Sequence, residues 1–151
     1  MTLGKRFAAA RAADAMEFEQ ALVRLYIVAS TVAYFAVYFL WDGFIDGGEL
    51  VALISAAVEV LVTLLMLAWV VLLPGVNHLR RRAGVVVDVA ASTYFMLLIG
   101  ESGALLFAVY VWVAIGNGFR YGRWMLHFAQ VLAIAGFTLS LIHISEPTRP
   151  Y

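Results

Sequence analysis

Long apolar stretches separated by short polar ones set the character of this chain. Apolar residues fill about 25–41, 50–73, 85–99 and 104–115, and a fifth stretch opens at Trp124. Several approach the roughly 20 residues with which a helix crosses a ~30 Å hydrocarbon layer, so they read as separate membrane spans and not as one soluble core. The pattern predicts an all-α fold: a polytopic transmembrane helix bundle with four complete spans, a truncated fifth and an N-terminal surface helix. The third stretch has fifteen residues, which as a helix reach about 22 Å and cross only if flanking polar residues help. With the fourth it forms either a helical hairpin turning at Gly100 to Gly103 or a buried helix pair.

The polar punctuation supplies the topology. Residues 1–23 form a cytoplasmic N-terminal segment in which Lys5, Arg6 and Arg11 precede Asp14, Glu17 and Glu19. That order opposes the helix dipole, but the composition is helix-forming and predicts a short surface helix over residues 2–20, with a disordered tail as the alternative. Arg24 marks the entry to the first span of a membrane domain, residues 24–138. Trp41 to Glu49 is acidic, contains glycines and lacks Lys and Arg, as an outer loop would. Pro74 and Gly75 end the second stretch, and Arg80, Arg81 and Arg82 form the densest positive cluster, placing that loop inside. The run Gly116, Asn117, Gly118, Phe119, Arg120, Tyr121, Gly122, Arg123 reads as a turn back at the cytoplasmic face. Glu101 is then outside.

Composition agrees with this reading. The 151 residues are 64% hydrophobic and only 13% charged, with a mean hydropathy of +0.93, against about 25% charged in a soluble domain. Ten basic and ten acidic residues cancel, so nucleic acid is not an expected partner. There is no cysteine, which excludes disulfides and thiolate metal sites. The first twenty residues lack an uninterrupted apolar core and do not read as a cleaved signal peptide.

The tail departs from the pattern. Residues 139–149, Leu-Ser-Leu-Ile-His-Ile-Ser-Glu-Pro-Thr-Arg, resemble the translated mosaic-end adaptor of transposase-made sequencing libraries. Residues 139–151 are therefore expected to be adaptor-derived, with the gene's own sequence running to about Thr138.

Few side chains are suited to chemistry. Glu59 lies nine residues into the second stretch, about 14 Å along a helix and near the membrane midplane, where an ionisable group costs a few kcal/mol and points to a function or a buried partner. Its two readings are an interhelix tie to Ser92, Thr93 or Tyr94, and a sensing or proton-linked role. Asp88 sits about 6 Å inside its helix, in reach of Arg82, Arg120 or Arg123 as an orientation anchor. The sensing candidates are thus Glu59, Asp88, Ser92 and Tyr94. Tyr26, Trp41, Trp69, Tyr110, Trp112, Tyr121 and Trp124 read as interfacial belt or packing aromatics. Ala29 with Ala33, and Gly118 with Gly122, have the small-residue spacing of close helix approach. His78 and His127 lack metal-site spacing, and His143 belongs to the tail, so neither a metal nor a cofactor is expected. The glycine run lacks the strand-to-helix context and Gly-Lys-Ser/Thr ending of a phosphate loop. No nucleophile elbow or kinase phosphoacceptor motif occurs, and the chain is expected to catalyse nothing alone.

Residues Ile115 to Gly122, preceded by Tyr110, Val111, Trp112 and Val113 and taken with Glu59, Pro74, Arg80 to Arg82 and Asp88, resemble the membrane input domain of bacterial hybrid sensor histidine kinases of the Rpf type. The resemblance covers about residues 20–138. It implies a two-component phosphorelay protein of the bacterial inner membrane that serves quorum sensing through diffusible signal factor, a fatty-acid-like signal. It also implies a homodimer, cytoplasmic kinase domains absent from this chain, and a response regulator as downstream partner. The other reading of the residues is a small transporter or channel-like subunit with Glu59 and Asp88 lining a polar path.

Overall fold

The computed structural model describes residues 2–42, 48–99 and 106–145. Among them the chain forms six α-helices and no strand: α1 Leu3–Ala13, α2 Ala15–Asp42, α3 Gly48–Leu72, α4 His78–Ile99, α5 Phe107–Tyr121 and α6 Arg123–Ser145. The helices divide into two compact units, residues 1–77 with α1 to α3 and residues 78–151 with α4 to α6. Glycine-rich positions 43–47 and 100–105, where the outer loop, the Gly100 to Gly103 turn and Glu101 were expected, lie outside the described residues.

In the first unit, the expected surface helix over residues 2–20 is two helices. Asp14 separates them with extended backbone (φ −155°, ψ 92°), and its carboxylate Oδ1 accepts the Glu17 N–H at 3.2 Å. This is the N-cap arrangement that satisfies an orphan donor of the first turn, and Asp-Ala-Met-Glu carries its spacing in the sequence. Helix α2 then runs without interruption past residue 23 into the first apolar stretch. Helix α1 folds back so that Ala10 and Phe7 meet Phe18, Ala21, Leu67, Val70 and Val71. The Phe7 and Phe18 rings pack edge to face at 5.8 Å, a geometry contributing about 0.5–1.5 kcal/mol beyond burial. Arg11 and Glu19 approach to 3.7 Å, but both are more than half exposed, so this pair contributes at most about 1 kcal/mol.

Helix α3 ends where Pro74 and Gly75 (φ +126°) interrupt the backbone ladder, as expected from sequence. The next helix starts earlier than expected. Arg80, Arg81 and Arg82 are not loop residues; they form the first turns of α4. At this positive end of the helix Arg80 is buried, at 3% exposure, and Arg81 stacks its guanidinium 4.3 Å above the Tyr121 ring, a favourable cation–π contact. With this extension α4 has 22 residues and reaches about 33 Å.

In the second unit, α4, α5 and α6 enclose Val85, Val89, Met96, Tyr110, Val113, Ala114, Met125, Ala129 and Ala133. Small residues let the backbones approach. At Gly136 an added Cβ would stand 2.5 Å from Thr93 Oγ1 and 3.3 Å from the Tyr110 ring, so only glycine fits where the three helices meet.

Two segments, Leu53–Leu72 and Arg123–Ile142, are long and apolar enough to cross a membrane, with mean hydropathies of 2.3 and 1.8. Much of their apolar surface is uncovered, including Leu61, Leu65, Val131 and Ile134. Contiguous exposed apolar area is characteristic of surfaces that face lipid or another protein.

Gly136→Ala is expected to destabilise the second unit by about 1–3 kcal/mol through overpacking. Gly4→Ala, where nothing lies within 4 Å, is expected to stay within about 0.5 kcal/mol. Reversible unfolding in detergent, followed by far-ultraviolet circular dichroism, separates the two.

Candidate functional site

Most of the residues singled out from sequence lie in the second unit, on α4 and around the α5–α6 connection. The run from Gly116 to Gly122 is not the expected turn. Helix α5 continues through Gly116, Asn117, Gly118, Phe119, Arg120 and Tyr121, and Gly122 alone joins it to α6. Asn117 is 1% exposed, and its Nδ2 donates to the Val113 carbonyl at 2.7 Å, so its amide supports the helix it was expected to end. Gly118 is small because Leu126 of α6 occupies the space a Cβ would need, at 2.8 Å.

Gly122 turns the chain with φ +87° and ψ −177°, a region open essentially to glycine alone. Its N–H donates to the Gly118 carbonyl at 2.9 Å, and its own carbonyl accepts the Leu126 N–H at 3.1 Å. The end of one helix and the start of the next thus share one residue. Around it Phe119 and Trp124 are 88% and 72% exposed, Arg123 is exposed and Arg120 is half-buried. Aromatics and arginines in that setting suit a membrane interface.

Arg81 over Tyr121 links the basic start of α4 to this connection. Sequence reasoning looked instead for Asp88 as the tie. Asp88 is half-buried, one helical turn before Ser92, whose hydroxyl donates to the Asp88 carbonyl at 2.8 Å. Ser92 and Thr93 are buried, whereas Tyr94 is 44% exposed and packs edge to face on Phe95 at 5.7 Å. Ser92 and Tyr94 therefore do not share a face. Glu59 is half-buried on α3 of the first unit, so the four candidates are divided between the two units.

The polar centre of the second unit is Thr93 with Tyr110. Thr93 donates its hydroxyl proton to the Val89 carbonyl at 2.8 Å, which leaves Tyr110 to donate to Thr93 Oγ1, also at 2.8 Å. Tyr110 is 2% exposed and is a core residue, so of the belt and packing readings it takes the packing one. The spacing of Tyr110, Val113, Ala114, Asn117 and Tyr121 on α5 follows one helical face and was the available signal. Gly136 and Ser140, whose hydroxyl donates to the Gly136 carbonyl at 3.0 Å, had no signal in sequence. Ala29 and Ala33 are exposed. Among the described residues no group of three or more His, Cys, Asp or Glu side chains is placed to hold a metal ion. His127 Nδ1 meets Gln130 Oε1 at 3.3 Å.

The polar contacts described for α4, α5 and α6 are contacts of helix packing. The chain is 38% identical over 95 residues, 62% of its length, to the sensory/regulatory protein RpfC of Xanthomonas campestris pv. campestris, in each of two strains. The chain resembles one segment of a sensory/regulatory protein. The matched region is 13% of that relative, so the chain spans a small part of its length. No family model and no solved structure matches the chain.

Gly122→Ala is expected to cost about 1–3 kcal/mol, and Gly122→Asn is not expected to rescue it, because ψ near 180° lies outside the left-handed helical region. Tyr121→Leu is expected to cost about 0.5–2 kcal/mol while Tyr121→Phe keeps most of the stacking. Unfolding of the four variants in one detergent checks both expectations.

Proposed function

We propose that this chain is the membrane-embedded signal-input module of a hybrid sensor histidine kinase, passing a lipid-like or membrane cue to a cytoplasmic kinase domain. The observation that carries this reading is its similarity to a sensory/regulatory protein. Its apolar, lipid-ready helix surfaces support it. The chain would lie in the bacterial inner membrane as a multi-pass protein with a cytoplasmic N-terminus, four complete spans and a fifth. It would act as a homodimer upstream of a response regulator.

The physical means is a shift between two helix packings, biased by a ligand that binds one of them better. Helices α5 and α6, joined through Gly122 and pressed together at Gly118 and Leu126, would move as one body. Glu59 and Asp88 are the ionisable candidates for reading the cue. In the same reading residues 139–151 derive from a sequencing adaptor, and resequencing the source DNA across codon 138 tests that statement directly.

Because the native chain has no cysteine, single introduced cysteines report topology without background. Asp46→Cys and Ser102→Cys are expected to react with a membrane-impermeant maleimide in intact cells. Thr2→Cys, His78→Cys and Arg123→Cys are expected to react only after permeabilisation. For the signalling role, residues 1–138 are expected to restore regulated output when they replace the matching segment of RpfC, and Arg120→Ala to reduce it. A chimaera made at normal levels with no regulated output would refute the input role.

A further inference from the structure

Helix α1 does not close fully against α3. Between them lies an open groove of about 490 Å³, bounded by Phe7, Leu64, Leu67, Val71 and Leu72, with Arg6 as its charged lining residue. That volume is within the range of small-ligand sites. The groove runs along the last turns of the segment Leu53–Leu72, so it opens at the end of a helix long enough to span a membrane. Leu64 and Leu72 remain 46% and 56% exposed.

Charge narrows the occupant. Lys5, Arg6 and Arg11 precede the first acidic residue, Asp14. Arg11 has Glu19 as its neighbour, but among the described residues no carboxylate pairs with Arg6. An apolar trough with a guanidinium among its lining side chains matches a molecule with an acyl chain and an anionic head. Arginine suits a phosphate because its planar fork donates two parallel hydrogen bonds.

We propose that the α1–α3 groove binds one anionic phospholipid, its phosphate on Arg6 and an acyl chain against Leu64 and Leu72. The bound lipid fastens α1 to the membrane surface, so that the position of α1 depends on the anionic lipid content of the leaflet. This rests on the reading that α3 spans the membrane.

The test uses the whole chain, reconstituted in phosphatidylcholine vesicles with or without phosphatidylglycerol, then released in mild detergent for native mass spectrometry. One retained phosphatidylglycerol per chain is expected. Arg6→Gln is expected to lower its retention about fivefold, the equivalent of roughly 1 kcal/mol for one basic residue at an anionic surface. Ala68→Phe, which fills the groove, is expected to abolish retention, while Arg11→Gln is expected to leave it unchanged. Equal retention of phosphatidylcholine, or equal losses for Arg6→Gln and Arg11→Gln, would overturn the site. Carbonate extraction from phosphatidylcholine vesicles separates the two readings: a chain that resists extraction but shows no lipid preference refutes the groove alone, and a chain that is extracted refutes the spanning helix as well.

Discussion

The polar side chains of these apolar helices turn back on their own backbone. Thr31, Ser55, Ser92, Thr93 and Ser140 each donate a hydroxyl to the carbonyl four residues earlier, and Asn117 does so with its amide. In water such bonds compete with hydration and contribute little; where water is excluded, an unsatisfied polar atom costs several kcal/mol. A helix that satisfies its own hydroxyls can be packed as though it were apolar. The same bond prepares Thr93 for its neighbour, since a hydroxyl that has given its proton to Val89 presents an acceptor to Tyr110.

Close approach of α4, α5 and α6 follows from that local satisfaction. Thr93 and Tyr110 meet beside Gly136, and any side chain there would separate them. At the other end of the unit Gly118 receives Leu126, and Gly122 turns the chain in a single residue. The first unit is held differently, by the aromatic contact of Phe7 with Phe18 and by apolar side chains of α3. Helix α1 touches α3 through few large residues, leaving the groove that Arg6 borders. One unit is thus tightly keyed by small residues, while the other keeps an open apolar seam.

Sequence reasoning found the helical class and the stop at Pro74 and Gly75, where chemistry acts within a few residues. It missed the break at Asp14, although Asp14 and Glu17 have capping-box spacing, because mixed basic and acidic residues were read as one surface helix. It placed a turn over Gly116 to Gly122 because three glycines and an asparagine favour turns locally. Leu126 and Val113 reverse that preference: a neighbouring helix fills the glycine notch, and a carbonyl one turn back takes up the asparagine amide. Arg80 to Arg82 misled for a similar reason, since the packing that accepts them, such as Tyr121 beneath Arg81, comes from a residue forty positions along the chain.

By itself the sequence determined that this chain builds apolar helices, because hydropathy and helix-breaking residues act over one turn to a few turns; of the four complete spans and a fifth that it predicted, two among the described residues have the length and apolarity to cross a membrane. It also determined, through 95 alignable residues, a likeness to a sensory/regulatory protein. Only the tertiary structure decided which glycine turns the chain, which tyrosine is core and which arginine is stacked. Those choices depend on what stands within about 4 Å of each residue, and the neighbours that stand there come from other helices.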